Sequence, residues 1–213
     1  MYIPKLFRET DQAALHDLMR ANSFATLISQ HDGVPYASHL PMLLQADAGP
    51  HGTLVGHMAR ANPQWREFDP GQEVLTIFQG PHAYVSPSWY ETELSVPTWN
   101  YAVVHAYGTP RVIEDRAALY DILKAVVQMY EAPFEQPWPF AVPADFVDKM
   151  MRAIVGFSIP ITRLEGKYKL SQNRPLEDQQ RVVEALHEQG DELSTGTAAL
   201  MRPRVAASPV SPT

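Results

Sequence analysis

The sequence predicts a mainly β fold of the α+β class, a β-barrel with helices at its periphery. Short β-type segments recur between Phe24 and Ile113, separated by glycine and proline, and segments with helical apolar spacing flank them. The 213 residues, of which 45% are hydrophobic, suffice for one barrel domain with added helices. We expect one domain over residues 1–193 and a disordered tail over 194–213, which is rich in Ser, Thr, Ala and Pro.

The first elements are a helix over residues 11–19, with Thr10 as N-cap, and two strands over 24–30 and 34–44. Asp32-Gly33 joins the strands, because glycine accepts the positive φ of a tight hairpin turn. The second strand contains two prolines, Pro35 and Pro41. Because proline donates no ladder hydrogen bond, we expect both at an edge or a bend of the sheet.

The middle of the chain alternates strands with turns. A strand over 53–58 precedes Asn62-Pro63, which predicts a short helix with Asn as N-cap and Pro at the first helical position. Further strands are predicted over 74–79, 83–86, 100–107 and 111–113. Gly80-Pro81, Pro87, Pro97 and residues 108–110 separate them. The number of short strands indicates a barrel.

Helical apolar spacing predicts helices over 115–131, 144–154 and 176–189. Four prolines make 132–143 an extended connection, and residues 157–170 have strand character. Gly190 lies where a left-handed C-terminal cap is expected.

Composition narrows the function classes. The net charge is −7, from 24 acidic and 17 basic residues, which disfavours nucleic-acid binding unless basic groups share one face. No apolar stretch approaches the roughly 20 residues that cross a bilayer, so no membrane partner is expected. The chain has no cysteine and no apolar run of signal-peptide length at its start. We therefore expect a cytoplasmic protein.

The segment from His57 to Trp65 is a candidate anion site. Arg60 brings a fork of donors close to the helix start at Asn62-Pro63, where free N–H groups favour a phosphate. His57 is a further candidate donor. The structural alternative is that Arg60 pairs with Glu67 or another surface carboxylate.

A second candidate site combines aromatic and hydroxyl side chains. Tyr84 and Ser86 lie near a strand end, and Pro97 stiffens the approach to Trp99 and Asn100. Such residues suit the ring and polar edge of a flat ligand. They equally suit a packed core or a dimer contact.

The densest basic patch runs from Lys167 to Arg174 and includes Lys169, Ser171 and Gln172. It could contact a cofactor phosphate or DNA. The alternative is a solvated loop before the helix that starts near Pro175. No histidine spacing indicates a metal site, and hydrolase, Walker and Rossmann motifs do not occur.

Two blocks resemble the PaiB family of FMN-binding regulators: Gly56-His57-Met58-Ala59-Arg60-Ala61-Asn62-Pro63 and Lys169-Leu170-Ser171-Gln172-Asn173. The resemblance implies a split β-barrel that binds FMN, a homodimer with FMN near the interface, and a negative transcriptional regulator. Together with the residue patterns, it places the following residues at the cofactor: His57, Met58, Ala59, Arg60, Asn62, Tyr84, Ser86, Trp99, Asn100, Lys169, Ser171 and Gln172.

Two other functions stay open. Relatives of the fold make a flavin-dependent oxidoreductase, which uses a reduced nicotinamide, the first alternative. A haem-binding split barrel is the third, with His57, His82 or His105 as iron ligands. As a regulator, the protein would act on DNA directly or indirectly. Indirect action stays open because no helix-turn-helix pattern flanks the predicted barrel.

Overall fold

The computed structural model describes residues 1–207. In chain order the strands are β1 Arg8–Glu9, β2 Phe24–His31, β3 Val34–Gln45, β4 Thr53–Ala59, β5 Val74–Val85, β6 Thr98–Gly108, β7 Arg111–Ile113 and β8 Ile154–Lys169. The helices are α1 Gln12–Ala21, α2 Arg116–Glu131, α3 Ala144–Arg152, α4 Leu176–Gln189 and α5 Glu192–Ala207. Short 3-10 helices lie at Lys5–Phe7, Pro63–Glu67 and Pro87–Trp89.

The hydrogen-bonded strands follow the order β1-β8-β4-β3-β2-β5-β6. Because β6 also pairs with β8, six strands form a closed ring, which confirms the predicted barrel class. Asp32 and Gly33 form the two-residue turn between β2 and β3, with φ values of 50° and 76°. Pro41 lies where β3 changes its partner from β2 to β4, a position at which a missing N–H is tolerated.

The described chain divides into two units. Unit 1 comprises residues 1–18, 79–104 and the chain from Glu165 onward, and unit 2 comprises residues 19–78 and 105–164. In unit 2, β4 pairs with both β3 and β8, and Leu119 of α2 packs on Val147 and Met151 of α3. Gly156 permits the close approach of α2 to β8, because a Cβ there would lie 2.7 Å from a Leu119 methyl carbon.

Unit 1 contains most of α1, together with α4, α5 and the ends of β5, β6 and β8. The strands predicted over 74–79 and 83–86 are one continuous strand, β5. Gly80 lies inside this strand and does not end it. The strand needs a glycine here because its backbone runs close to Leu18 and to the Ala102 carbonyl oxygen, which leaves little room for a side chain. Helix α4 ends at Gly190 with φ 73°, as predicted.

The expectation of a disordered tail from Ser194 is wrong for residues 194–207, which belong to α5. Thr197, Ala198 and Met201 of this helix are fully buried. Gly196 lies so close to Pro81 that an added Cβ would be 2.9 Å from its Cγ. Small residues therefore let α5 pack tightly, and this packing stabilises a helix that contains both Gly196 and Pro203. The rest of the expected tail, residues 208–213, lies outside the described residues.

Candidate functional site

Arg60 follows β4 and joins the end of that strand to the end of α3. Its backbone N–H donates to the Ala153 carbonyl at 2.8 Å. Its Nε donates to the Arg152 carbonyl at 2.8 Å, and Nη2 donates to the Ile154 carbonyl at 2.9 Å. A guanidinium beside the free carbonyls at a helix C-terminus is electrostatically favourable.

The alternative that pairs Arg60 with Glu67 is wrong, because Glu67 instead lies 3.0 Å from His31 Nδ1. Asn62 caps the short helix as predicted: its Oδ1 accepts the Gln64 N–H at 3.0 Å. Its Nδ2 donates to the Ser38 hydroxyl at 2.8 Å, so both ends of the amide have partners. Trp65 then donates its ring N–H to the Arg60 carbonyl at 3.0 Å.

A cleft of about 350 Å³ opens beside Arg60, and we call it the arginine cleft. Three arginines line it, namely Arg60, Arg116 and Arg152, together with Trp65, Glu114 and an apolar group that includes Leu119, Met151 and Val155. Arg116 is paired with Asp148. The Nη1 of Arg60 and the exposed guanidinium of Arg152 have no hydrogen-bond or ion-pair partner among residues 1–207.

This cleft suits an anion attached to an apolar group. Two cationic groups retain free donors above the apolar residues, and the volume lies in the range of about 300 to 1,000 Å³ typical of small-molecule sites. Sequence reasoning identified Arg60 and missed Arg116 and Arg152. The sequence offers only a weak signal for these two, since one begins α2 and the other ends α3.

The three residues before Arg60 differ in their environment. Met58 is 2% exposed and belongs to the core of unit 2, whereas Ala59 is exposed. His57 pairs in register with Gly156 of β8 and is partly buried. Its Nδ1 is buried without a hydrogen-bond partner in the described structure. Burial lowers the pKa of His57 below its ordinary value of 6.5, which favours the neutral imidazole.

Four other predicted residues form a set of internal hydrogen bonds in unit 1, which we call the Asn100 network. Asn100 is fully buried, and its Nδ2 donates to the Ser171 hydroxyl at 2.9 Å. Lys169 donates from Nζ to the Trp99 carbonyl at 2.6 Å and also to Thr98. Gln172 accepts the Leu170 N–H at 2.6 Å and donates to the Tyr168 carbonyl at 2.5 Å. These groups are satisfied within the protein.

Burial, followed by repulsion from Lys167 and Arg174, lowers the pKa of Lys169. The rest of the basic patch is also engaged within unit 1. Lys167 lies 5.3 Å from the centre of the Tyr101 ring. Arg174 donates to the Ser95 hydroxyl at 3.1 Å and lies 4.4 Å from the centre of the Tyr90 ring.

Trp99 and Tyr84 belong to an exposed aromatic wall on β5 and β6, which also includes His82 and Tyr101. Trp99 is 53% exposed and Tyr84 is 46% exposed. The centre of the Trp99 ring lies 6.0 Å from that of Tyr84 and 6.2 Å from that of His82. A shallow cleft of about 310 Å³ is lined by His82, Trp99 and Tyr101.

Ser86, also predicted at the cofactor, is the N-cap of the short helix that starts at Pro87, and its Oγ accepts the Ser88 N–H at 3.2 Å. The structure thus brings the predicted residues together in two groups. His57, Met58, Ala59, Arg60 and Asn62 lie in unit 2. Tyr84, Ser86, Trp99, Asn100, Lys169, Ser171 and Gln172 lie in unit 1. Within residues 1–207, no helix has the length and apolar character needed to span a membrane.

Solved structures with a similar fold bind flavins. The flavocytochrome Anf3 from Azotobacter vinelandii has a TM-score of 0.58 at 15% identity, covering 78% of this chain and 72% of its own. The FAD and heme binding protein from Mycobacterium smegmatis has a TM-score of 0.56 at 18% identity, covering 76% and 73%. At these identities the likeness establishes the split-barrel fold alone.

Sequence relatives establish the family. Residues 1–163 match the family model described as "Putative FMN-binding domain", which confirms FMN as the predicted cofactor. Protease synthase and sporulation protein PAI 2 of Bacillus subtilis (strain 168) is 38% identical over 207 residues, covering 96% of this chain and 98% of the relative. An uncharacterised protein of Emericella nidulans is 29% identical over 244 residues, covering 96% and 97%. This chain therefore belongs to the PaiB family of FMN-binding split-barrel proteins.

Proposed function

We propose that this chain is an FMN-binding negative transcriptional regulator of the PaiB type, which acts in the cytoplasm as a homodimer and holds the FMN phosphate in the arginine cleft. The name of the Bacillus subtilis relative, which refers to protease synthesis and sporulation, supports a regulatory role. The observation that carries the phosphate assignment is the pair of free cationic donors, Arg60 Nη1 and Arg152, above an apolar surface.

The residues of the cleft fit the phosphate end of FMN. A phosphate monoester carries a charge between about −1.5 and −2 at neutral pH, which matches the two positive charges of Arg60 and Arg152. Arg60 is held in position by its two bonds to the carbonyls that follow α3, so little side-chain freedom is lost when its Nη1 donates to a ligand. Bound FMN would supply redox chemistry. The neutral His57 offers a further hydrogen bond at the strand that leads into this region.

The aromatic wall supports the homodimer. Trp99 and Tyr84 expose large apolar areas beside each other, and such contiguous aromatic surface is typical of protein interfaces and ligand walls. We propose that a second copy of the chain covers this wall. Tyr84 and Trp99 are also the predicted ring contacts most open to a ligand, whereas Asn100 and Ser171 would have to exchange existing partners.

The helix pair α4–α5 supports indirect regulation. Two residues join these helices, a connection close in length to the turn of roughly three to four residues in DNA-binding helix-turn-helix motifs. However, the exposed charged residues here are mainly acidic: Glu177, Glu184, Glu188, Asp191 and Glu192, against Arg181 and Arg202. Arg181 is itself paired with Glu91. Because this surface would repel a phosphate backbone, we propose that repression works through a protein partner.

A titration of the purified chain with FMN tests the phosphate assignment. Arg152→Gln removes an exposed cation whose side chain has no partner among residues 1–207, and Lys149→Gln removes a cation from the same helix outside the cleft. We expect Arg152→Gln to weaken FMN binding about tenfold, because it removes a charge-assisted hydrogen bond. Lys149→Gln should leave binding unchanged. Equal effects of the two changes would contradict the assignment.

Transcript measurements separate regulation from catalysis. In the source organism, deletion of the gene should raise a defined set of transcripts, and the unmodified chain should restore repression where Arg152→Gln does not. The rival oxidoreductase predicts instead that purified protein with FMN oxidises a reduced nicotinamide faster than FMN alone. Such turnover with unchanged transcripts would contradict the regulatory proposal.

A further inference from the structure

A second cleft in unit 2, separate from the arginine cleft, lies between α2 and the proline-rich connection 132–143. Its volume is about 490 Å³. Three aromatic side chains line it, namely Tyr120, Trp138 and Phe140, and we call it the ring cleft. Tyr120 is 37% exposed and Trp138 is 47% exposed, so both rings are open to a ligand. The proposed FMN site does not use these residues.

The Trp138 and Tyr120 rings both stand at steep angles to the Phe140 ring. The centre of the Phe140 ring lies 5.5 Å from that of Trp138, at an interplanar angle of 89°, and 5.7 Å from that of Tyr120, at 51°. Parallel rings would form a slot for a flat molecule. Rings at steep angles form the walls of a box, which suits a compact group and presents π faces from several directions.

A carboxylate and a strained backbone hold this arrangement. Glu131 Oε2 accepts the backbone N–H of Trp138 at 2.7 Å, which fixes the connection against the end of α2 and keeps a negative charge at the cleft. Phe140 has φ 51°, a left-handed conformation that a bulky residue rarely adopts. Such strain is concentrated at binding and switch regions, and here it accompanies the orientation of one wall of the box.

We propose that the ring cleft binds an organic cation of the quaternary or substituted ammonium class. Aromatic faces attract such cations through the ring quadrupole, and Glu131 adds an opposite charge. Lys124 also lines the cleft and opposes a cation. Because Lys124 is exposed to solvent, its repulsion is screened and does not cancel the attraction of three rings.

Calorimetric titration of the full chain with choline tests the proposal, with 3,3-dimethyl-1-butanol as the neutral molecule of the same shape. We expect the neutral molecule to bind about tenfold more weakly, since only the cation gains from the π faces. This comparison needs no variant and does not depend on FMN. Equal affinity of the two molecules, or no binding of choline at millimolar concentration, would overturn the proposal.

Variants locate the binding. Trp138→Ala should weaken choline binding about tenfold, and Trp138→Phe should retain part of it because a π face remains. Phe146→Ala removes an exposed aromatic ring outside the cleft and should change nothing. Glu131→Gln should weaken choline binding a few fold and Lys124→Gln should strengthen it to a similar degree. Stronger choline binding by Glu131→Gln together with weaker binding by Lys124→Gln, or no effect of Trp138→Ala, would also overturn the proposal.

Discussion

The Asn100 network and the arginine cleft both contain residues that the sequence places at the cofactor, Asn100 in the first and Arg60 in the second, yet their polar groups are used in different ways. In the Asn100 network the buried amide of Asn100 bonds to Ser171, and Lys169 bonds to a carbonyl and a hydroxyl. In the arginine cleft, Arg60 bonds to two carbonyls and keeps Nη1 free, while the side chain of Arg152 has no partner among residues 1–207.

This difference separates residues that maintain the fold from residues able to receive a ligand. A buried polar group that is fully paired stabilises one arrangement of the chain, and breaking the pair is costly. A cation that keeps free donors above apolar residues breaks no hydrogen bond within the protein when it binds an anion. We therefore expect Asn100 to stabilise the fold and Arg152 to bind a ligand, and each expectation is open to measurement.

The largest effect is expected from Asn100→Ala. The change removes the bonds to Ser171 and leaves a gap at a fully buried position, so we expect a loss of about 2 to 3 kcal/mol in the free energy of unfolding. Urea denaturation should show a lower midpoint with an unchanged m-value. The exposed Asn173 provides the matched control, Asn173→Ala, which should have little effect. An Asn100→Ala protein of unchanged stability that fails to bind FMN would make Asn100 a ligand contact and not a stabilising residue.

Much of the fold could be predicted because its signals are local. The Asp32-Gly33 turn and the Gly190 helix end each depend on residues adjacent in sequence. Helix α5 could not be predicted, since its stability comes from small residues such as Gly196 that allow close packing. The break expected at Gly80-Pro81 was absent because tertiary contacts require a glycine inside a strand there.

The candidate site was predictable only in part, for a similar reason. Arg60 and Asn62 stand out because both lie within a few residues before a helix start. Arg116 and Arg152 reach the same cleft from two different helices, and the packing of Leu119 on Met151 brings these helices together. Asparagine is a residue type that often contacts ligands. Only the burial of Asn100 and its hydrogen bond to Ser171 reveal its structural role.

An intermediate effect is expected from Arg60→Lys, because Arg60 both stabilises the fold and keeps a free donor for a ligand. Lysine keeps the charge and loses the planar fork that bonds to the Arg152 and Ile154 carbonyls. We expect a loss of about 1 kcal/mol in the free energy of unfolding and about tenfold weaker FMN binding, measured by urea denaturation and by titration. Arg66→Lys is the control, because Arg66 lies over the same Trp65 ring outside the cleft. Lost stability with unchanged FMN affinity would make Arg60 a structural residue only.

The smallest effect concerns pH and His57. Because burial lowers the pKa of His57 below 6.5, the unfolded chain takes up a proton at a higher pH than the folded chain. The contribution of His57 to stability is therefore complete above about pH 6.5 and declines as the pH falls towards the lowered pKa. His57→Gln should make the free energy of unfolding, measured in urea between pH 8 and pH 5, less dependent on pH.

His31→Gln provides a control of opposite sign for this test, and added FMN tests whether His57 contacts the phosphate. Glu67 raises the pKa of the exposed His31, so its contribution is present below pH 6.5 and is lost as the pH rises, and His31→Gln should alter the profile in the opposite direction. A phosphate bound near His57 would stabilise the imidazolium and raise the pKa of His57. FMN should therefore reduce the pH dependence of the unmodified chain and leave that of His57→Gln nearly unchanged. If FMN affects both proteins equally, His57 does not contact the phosphate, and the ligand donors are confined to the arginine cleft.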